Sequence, residues 1–189
     1  ESIADEAVDW GLTVKSVEIQ DIKPSESMQR AMEAQASAYY FPQLFGRRFH
    51  RSQDGWTNAA LDYGYAVLRG ACARSLVAHG LLPTVGIFHS SEQNAFNLAD
   101  DLIEPFRPVV DLHVATSRKT DNAADLSPAD KAALVGLLNV DVAMPRGVMS
   151  VLASVEQAAE SLARLYDGGS ELVLEMPRII GLNQHRYEM

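Results

Sequence analysis

Thr57-Asn-Ala-Ala-Leu-Asp-Tyr-Gly-Tyr-Ala-Val-Leu-Arg-Gly-Ala-Cys-Ala-Arg-Ser-Leu-Val-Ala-His-Gly80 is the stretch on which the reading of the fold turns. Leu61, Tyr65, Leu68, Cys72 and Leu76 recur at intervals of three and four, the spacing of one buried helical face. Thr57 and Asn58 are good capping residues for its start, and Gly80 supplies a stop. Cys72 on that apolar stripe reads as core. A helix of this length must be covered by other helices, so the neighbouring sequence is expected to supply them.

Downstream, an apolar loop from Pro83 to Phe88 leads to a third helix. It is expected from near Gln93, with Phe96, Ala99, Ile103 and Phe106 on its apolar face, until Pro105 and Pro108 bend or end it. Ser127-Pro128 followed by Asp130 reads as an N-cap with Pro at the first helical position, opening a helix to about Asn139. Another helix is expected from about Val148 to Tyr166, ended by Gly168-Gly169, with Leu172-Val173-Leu174 as a short terminal strand or docking segment. Upstream, Thr13 to Gln20 reads as one strand by its β-branched content. Pro24 and Ser25 open a helix from about Glu26 towards Tyr40 that carries Glu33 and is broken by Pro42 and Gly46. The fold class is therefore mainly α, a helical domain with a short N-terminal strand-helix extension.

The 189 residues, 47% of them hydrophobic and 7% aromatic, suit one compact domain with a small appendage and are too few for two full domains. One Cys, 22% charged residues and no apolar run of about 18 argue against a disulfide framework, disorder and a membrane span. The N-terminus lacks the layout of a signal peptide and an initiator Met, so it reads as a fragment or processed end, and the expected location is the cytoplasm.

A net charge of −9 is unfavourable for lying against phosphates without a local basic patch or a metal. The charge is uneven: residues 1–36 carry three basic and eight acidic residues, whereas 37–111 carry six Arg against seven acids. Arg47, Arg48, His50 and Arg51 form the only basic cluster, in a loop bounded by Gly46 and Gly55. By itself such a cluster suits a solvated connector as well as a phosphate contact.

Chemistry is expected where titratable groups meet apolar helix faces. His89 follows an apolar run, and Asp100, Asp101 and Glu104 follow it, with Glu104 at 104 − 89 = 15 residues along. Asp101 and Glu104 neighbour each other on a helix. One imidazole with two or three carboxylates suits Mn²⁺ or Mg²⁺, which can activate an oxygen nucleophile and neutralise phosphate charge. The same residues also suit a packed or surface His beside an acidic helix. Ser90-Ser91 with His89 and Asp100 lacks the strand, sharp turn and helix of a Gly-x-Ser-x-Gly hydrolase. Zinc-finger, metalloprotease, dinucleotide and NTPase motifs are absent.

Several separate strings then carry a resemblance. Glu33-Ala-Gln-Ala-Ser-Ala-Tyr-Tyr-Phe41 with Leu44-Phe45-Gly46, Asn58 to Leu68, Gly86 through His89 to Ala99, Asp101-Leu-Ile-Glu-Pro-Phe-Arg-Pro-Val-Val-Asp111, and Leu126 to Leu138 closely resemble the CRISPR-associated spacer-acquisition endonuclease, the CRISPR integrase, in its type II versions. The resemblance spans about residues 33–177. It implies a helical catalytic domain binding one Mn²⁺ or Mg²⁺ through Glu33, His89 and Glu104. It also implies antiviral defence by joining short duplex DNA into a CRISPR repeat array, through attack of a 3′ hydroxyl on a phosphodiester. Homodimers, usually assembled around a small CRISPR-associated partner protein, are the family's working form. Independently of the family, Arg47, Arg48, Arg51 and Arg107 are phosphate-contact candidates by charge and loop position.

On this resemblance the family's N-terminal β-rich domain, and part of the helical domain before Glu33, are expected to have no counterpart here, which bears on the dimer. Residues 7–36, with Trp10 to Pro24 and Met28 to Gln35, instead resemble the end of a stomatin-like (SPFH, prohibitin-homology) domain, a membrane-associated scaffold. The expected organisation is 1–32 as a stomatin-like extension, 33–177 as the helical nuclease and integrase domain and 178–189 as a C-terminal tail. The alternatives are a catalytically inactive DNA- or protein-binding module derived from the integrase, and a stomatin-like oligomeric scaffold fragment.

Overall fold

The structure is a computed structural model that describes residues 39–117, 125–168 and 173–187. The expected strand over 13–20, most of the expected helix over 26–40, and Glu33 lie outside the described residues. The chain divides into two compact units, Glu1–Phe41 and Pro42–Met189, and every labelled element below belongs to the second. Those elements are α1 (Trp56–Ala78), α2 (Asn97–Ile103), a 3-10 turn (Glu104–Phe106), α3 (Arg107–Thr116), α4 (Pro128–Gly136), a second 3-10 turn (Leu137–Asn139), β1 (Val140–Met144), β2 (Gly147–Ser150), α5 (Val151–Tyr166) and β3 (Arg178–Gln184). The class is mainly α with a small antiparallel sheet.

α1 is the axis around which the rest packs. Its 23 residues extend about 34 Å at 1.5 Å per residue, and it touches α2, α3, α4 and α5. Leu61, Leu68, Cys72 and Leu76 are buried as the stripe predicts. Each buried Leu contributes roughly 1.5–3 kcal/mol. Gly64 is buried on the same helix, where α3 approaches so closely that a Cβ would stand 2.5 Å from Val110 Cγ1. The helix stops at Ala78, followed by Gly80 at a φ of 78°, the left-handed conformation that glycine adopts freely.

The expected caps of α1 are corrected. The helix begins at Trp56 with Gly55 in the cap position and no side-chain cap. Asn58 instead ties down the preceding loop: its Nδ2 donates to the carbonyls of His50 (2.9 Å) and Gln53 (2.6 Å), and its Oδ1 accepts from Arg51. Among the described residues, 39–45 are helical with Pro42 inside that run, and the run stops before Gly46.

Pro105 and Pro108 divide the expected third helix rather than ending it. Each falls in the first positions of a new helical segment, where its missing N–H has no partner to lose. Ala99, Ile103 and Phe106 are buried as expected, but Gln93–Phe96 precede the helix and Phe96 is 40% exposed. α4 opens with the anticipated reciprocal cap between Ser127 and Asp130.

The hairpin of β1 and β2 and the position of β3 depart from expectation. Residues 148–150 belong to β2, so α5 starts at Val151, capped by Ser150 Oγ accepting the Ala153 N–H. The strand expected at 172–174 is not formed at 173 and 174, and 172 is outside the described residues. β3 comes four residues later and completes an antiparallel sheet in the order β2-β1-β3. Val140, Val142 and Met144 of β1 turn inwards.

Candidate functional site

One face of α1 interrupts its apolar sequence with Asp62, Tyr65 and Arg69, which share a side at spacings of three and four. α2 and the turn after it bring Asp100 and Glu104 opposite, the N-terminus of α3 adds Arg107, and the loops before and after α1 add Arg51 and His89. Together these residues line a cavity of about 370 Å³. His89 and Glu104, two of the three candidate metal ligands, therefore share one wall-lined space. Among the described residues no group of three His, Cys, Asp or Glu is arranged to hold a metal ion. The third candidate, Glu33, lies outside the described residues.

The three carboxylates after His89 have different roles. Asp100 is buried and accepts from Arg69 Nε at 2.6 Å and from Asn94 Nδ2 at 2.7 Å. Asp101 faces His89: its Oδ1 lies 2.6 Å from Nδ1, and it also accepts backbone N–H groups of the loop. Glu104 is half exposed and pairs with Arg107 at 2.6 Å. The Ser-His-Asp arrangement is not formed, because Asp101 rather than Asp100 partners His89. An ionised carboxylate only accepts, so this contact suits a proton on Nδ1, an arrangement that in a neutral imidazole leaves the Nε2 lone pair for a cation.

Arg107 and Tyr65 form the floor. The Arg107 guanidinium lies 4.4 Å from the Tyr65 ring centroid, a cation–π contact, while the Tyr65 hydroxyl donates to buried Asp111. Burial, then the charge of Asp111 and its hydrogen bond, pushes the Tyr65 phenol well above its ordinary range, so it remains a donor. Burial works against the Arg107 charge, but Glu104 and the other acidic neighbours outweigh it and raise its pKa. Arg107, expected to meet phosphate, is thus held on Glu104.

Arg51, another phosphate candidate, pairs with Asp62 and Asn58 and lies 5.7 Å from the Tyr65 centroid. Arg47 and Arg48 are exposed at the turn after residues 39–45. Spacing and charge alone do not single out Tyr65 and Arg69 as site residues, although their spacing from Asp62 places the three on one side of the helix. A second hollow, of about 770 Å³ beside Asp141 and His185, contains none of the expected site residues.

Comparison with known proteins adds four findings. The family model described as CRISPR associated protein Cas1 matches residues 13–135. A CRISPR-associated endonuclease Cas1 of Neisseria meningitidis is 42% identical over 157 residues, covering 82% of this chain and 52% of that protein. A CRISPR-associated endonuclease Cas1 of Thermus thermophilus is 41% identical over 91 residues, covering 43% of this chain and 29% of that protein. The chain thus spans about half, or less, of the length of these relatives. Among solved structures, a casposase bound to integration product superposes with a TM-score of 0.65 at 22% identity, over 80% of this chain and 51% of that one, a likeness of fold. Because the family match begins at residue 13, it includes most of the segment that resembled a stomatin-like domain, and that second resemblance is not supported.

Proposed function

The chain belongs to the CRISPR-associated Cas1 family, and on that premise we propose that it is a divalent-metal-dependent DNA endonuclease and integrase of CRISPR spacer acquisition. The observation that carries this reading is the meeting of His89 and Glu104 in one arginine-lined cavity. The donor chemistry fits a hard cation: Nε2 of His89 is left open by the Nδ1 contact to Asp101, and Glu104 presents a half-exposed carboxylate. Glu33 is the third ligand of the proposal, which places Mn²⁺ or Mg²⁺ among Glu33, His89 and Glu104. When bound, that cation neutralises charge on the attacked phosphate and stabilises the leaving oxygen.

The chain's own residues then position the DNA. Arg51, Arg69 and Arg107 line the cavity and each already engages a carboxylate, Asp62, Asp100 and Glu104 respectively. A phosphate entering the cavity presents the same geometry to a guanidinium as a carboxylate, so these pairs can exchange partners without moving the backbone. Arg107 leaving Glu104 for phosphate would free Glu104 for the metal. Arg47 and Arg48, exposed on the adjoining loop, extend the cationic track along the duplex. In strand transfer, the 3′ oxygen forms a new bond to phosphorus as the bridging bond breaks, and the displaced strand leaves with its own 3′ hydroxyl.

The remaining parts of the proposal follow the family: residues 33–177 as the catalytic region, a homodimer assembled around a small CRISPR-associated protein, double-stranded DNA as substrate and the cytoplasm as location. No helix among the described residues is long and apolar enough to cross a membrane. The test is cleavage of linear duplex DNA with Mn²⁺, Mg²⁺ or chelator. Cutting that requires the cation and disappears in His89→Ala is expected. No cutting from folded protein would favour the inactive binding module, and cation-independent cutting would overturn the metal-dependent reading.

A further inference from the structure

Asp101 is the carboxylate nearest His89, yet all of its accepting capacity is engaged by the chain itself. Its Oδ1 accepts from His89 Nδ1 at 2.6 Å and from the His89 backbone N–H at 3.1 Å, and its Oδ2 from the N–H groups of Ile87 at 2.5 Å and Phe88 at 3.0 Å. A carboxylate offers about four lone-pair positions, so none remains for a cation. The side chain is only 7% exposed. The loop closes around it: a Cβ on Gly86 would stand 3.0 Å from Asp101 Oδ2 and 2.8 Å from Asn97 Cβ. Apolar packing does not explain this loop conformation, since Ile87 and Phe88 are 44% and 68% exposed.

We infer that Asp101 is a positioning residue for His89, which holds the imidazole in the Nδ1–H tautomer and clamps the 86–89 backbone so that bare Nε2 faces the cavity. The part of this inference that concerns the cation rests on the function proposed above; the tautomer itself does not. Such carboxylate–imidazole contacts set the orientation and basicity of a metal-bound His, and their loss costs typically 10–100-fold in metal affinity.

Asp101→Asn gives a specific test, because an amide has one accepting and one donating end. With its oxygen on the N–H groups of Ile87 and Phe88, which sit on Oδ2 in the parent chain, its NH₂ faces Nδ1, which must then be the unprotonated nitrogen. The ring is forced into the Nε2–H tautomer, and no lone pair faces the cavity. Nitrogen-15 NMR on histidine-labelled protein at about pH 8.5, where an ordinary imidazole is neutral, reads the tautomer directly, with His89→Ala identifying the signal. The expected spectrum shows His89 as Nδ1–H in the parent chain and Nε2–H in Asp101→Asn, while Asp101→Glu, which keeps an acceptor, retains Nδ1–H.

Mn²⁺ alone, titrated into the same proteins, is expected to bind roughly 10–100-fold more weakly to Asp101→Asn, with partial recovery in Asp101→Glu. An unchanged tautomer in Asp101→Asn would overturn the inference. So would a switched tautomer with parent-like Mn²⁺ affinity when His89→Ala has lost binding. Equal Mn²⁺ binding by the parent and His89→Ala would instead overturn the metal site itself, leaving the tautomer result intact.

Discussion

Two glycines of α1 allow the packing that builds the cavity floor to be measured. Gly64 and Gly70 lie on the same helix, one buried and one exposed. Replacing glycine by alanine in a helix interior contributes about 0.5–1 kcal/mol in favour of folding. At Gly70 a new Cβ meets nothing within 4 Å, so Gly70→Ala is expected to stabilise by that amount. At Gly64 the Cβ would lie 2.5 Å from Val110 Cγ1, 3.1 Å from Val110 Cγ2 and 3.4 Å from Leu134 Cδ2. Ordinary carbon contacts lie at about 3.5–4.0 Å, so Val110 must withdraw by about 1 Å. It is 1% exposed on α3 and β-branched, with one strongly preferred rotamer in a helix, so it cannot swing aside. Overpacking of this kind costs roughly 1–3 kcal/mol. Taking about 2 kcal/mol as the difference between the two variants, Gly64→Ala should melt about 4–8 °C below Gly70→Ala. Urea and thermal unfolding followed by circular dichroism measure both. Equal stability, or a more stable Gly64→Ala, would refute the close approach of α1 and α3.

Three further outcomes are expected. Tyr65→Phe removes the hydroxyl donor from Asp111, which is 3% exposed, and should destabilise the fold by roughly 1.5–3 kcal/mol in urea titration; a loss below about 0.5 kcal/mol, within the range of neutral surface changes, would contradict that contact. The hydrogen bond from Gln157, and then Arg146 and Arg164, hold the Glu175 carboxyl below its usual range. Its contribution is present above the unfolded value of about 4.3 and fades as pH falls through the lower folded value. Glu175→Gln should therefore show a shallower loss of stability on acidification than the parent, and equal slopes would contradict the assignment. Replacing both Arg47 and Arg48 with Ala should flatten the salt dependence of duplex DNA binding by about 1.8 in log–log slope, at about 0.9 per phosphate contact, whereas an unaltered slope would place that loop away from phosphate.

Local signals in the sequence are legible where one segment contains its own partner. Ser127 and Asp130 satisfy each other within one turn, and Leu61, Leu68, Cys72 and Leu76 need only a helix to align them. Pro105 and Pro108 marked boundaries, but whether a Pro ends a helix or opens the next depends on the packing of Phe106, Val109 and Val110, all buried. The hairpin is hidden in the sequence because Val148 and Met149 continue the apolar pattern of α5, and their strand state is fixed by pairing with Ala143 and Val142. At the candidate site, spacing brought His89 together with three nearby carboxylates without distinguishing them. The distinction arises because Gln93–Phe96 remain outside α2 and the loop folds back, placing Asp101 against Nδ1, Asp100 against Arg69 and Glu104 at the cavity. Asp62, Tyr65 and Arg69 were visible only as polar interruptions, since what gives them a site is the arrival of α3 and two loops.

Strand transfer decides whether His89 and Glu104 take part in joining DNA at a divalent cation. End-labelled short duplex DNA with 3′ hydroxyls is incubated with a supercoiled repeat-bearing plasmid, in Mn²⁺ or Mg²⁺ against chelator, using the parent chain and folded Glu104→Ala. Label joined to plasmid only with the cation and only by the parent chain is expected. Joining that survives in Glu104→Ala, or in chelator, would contradict it.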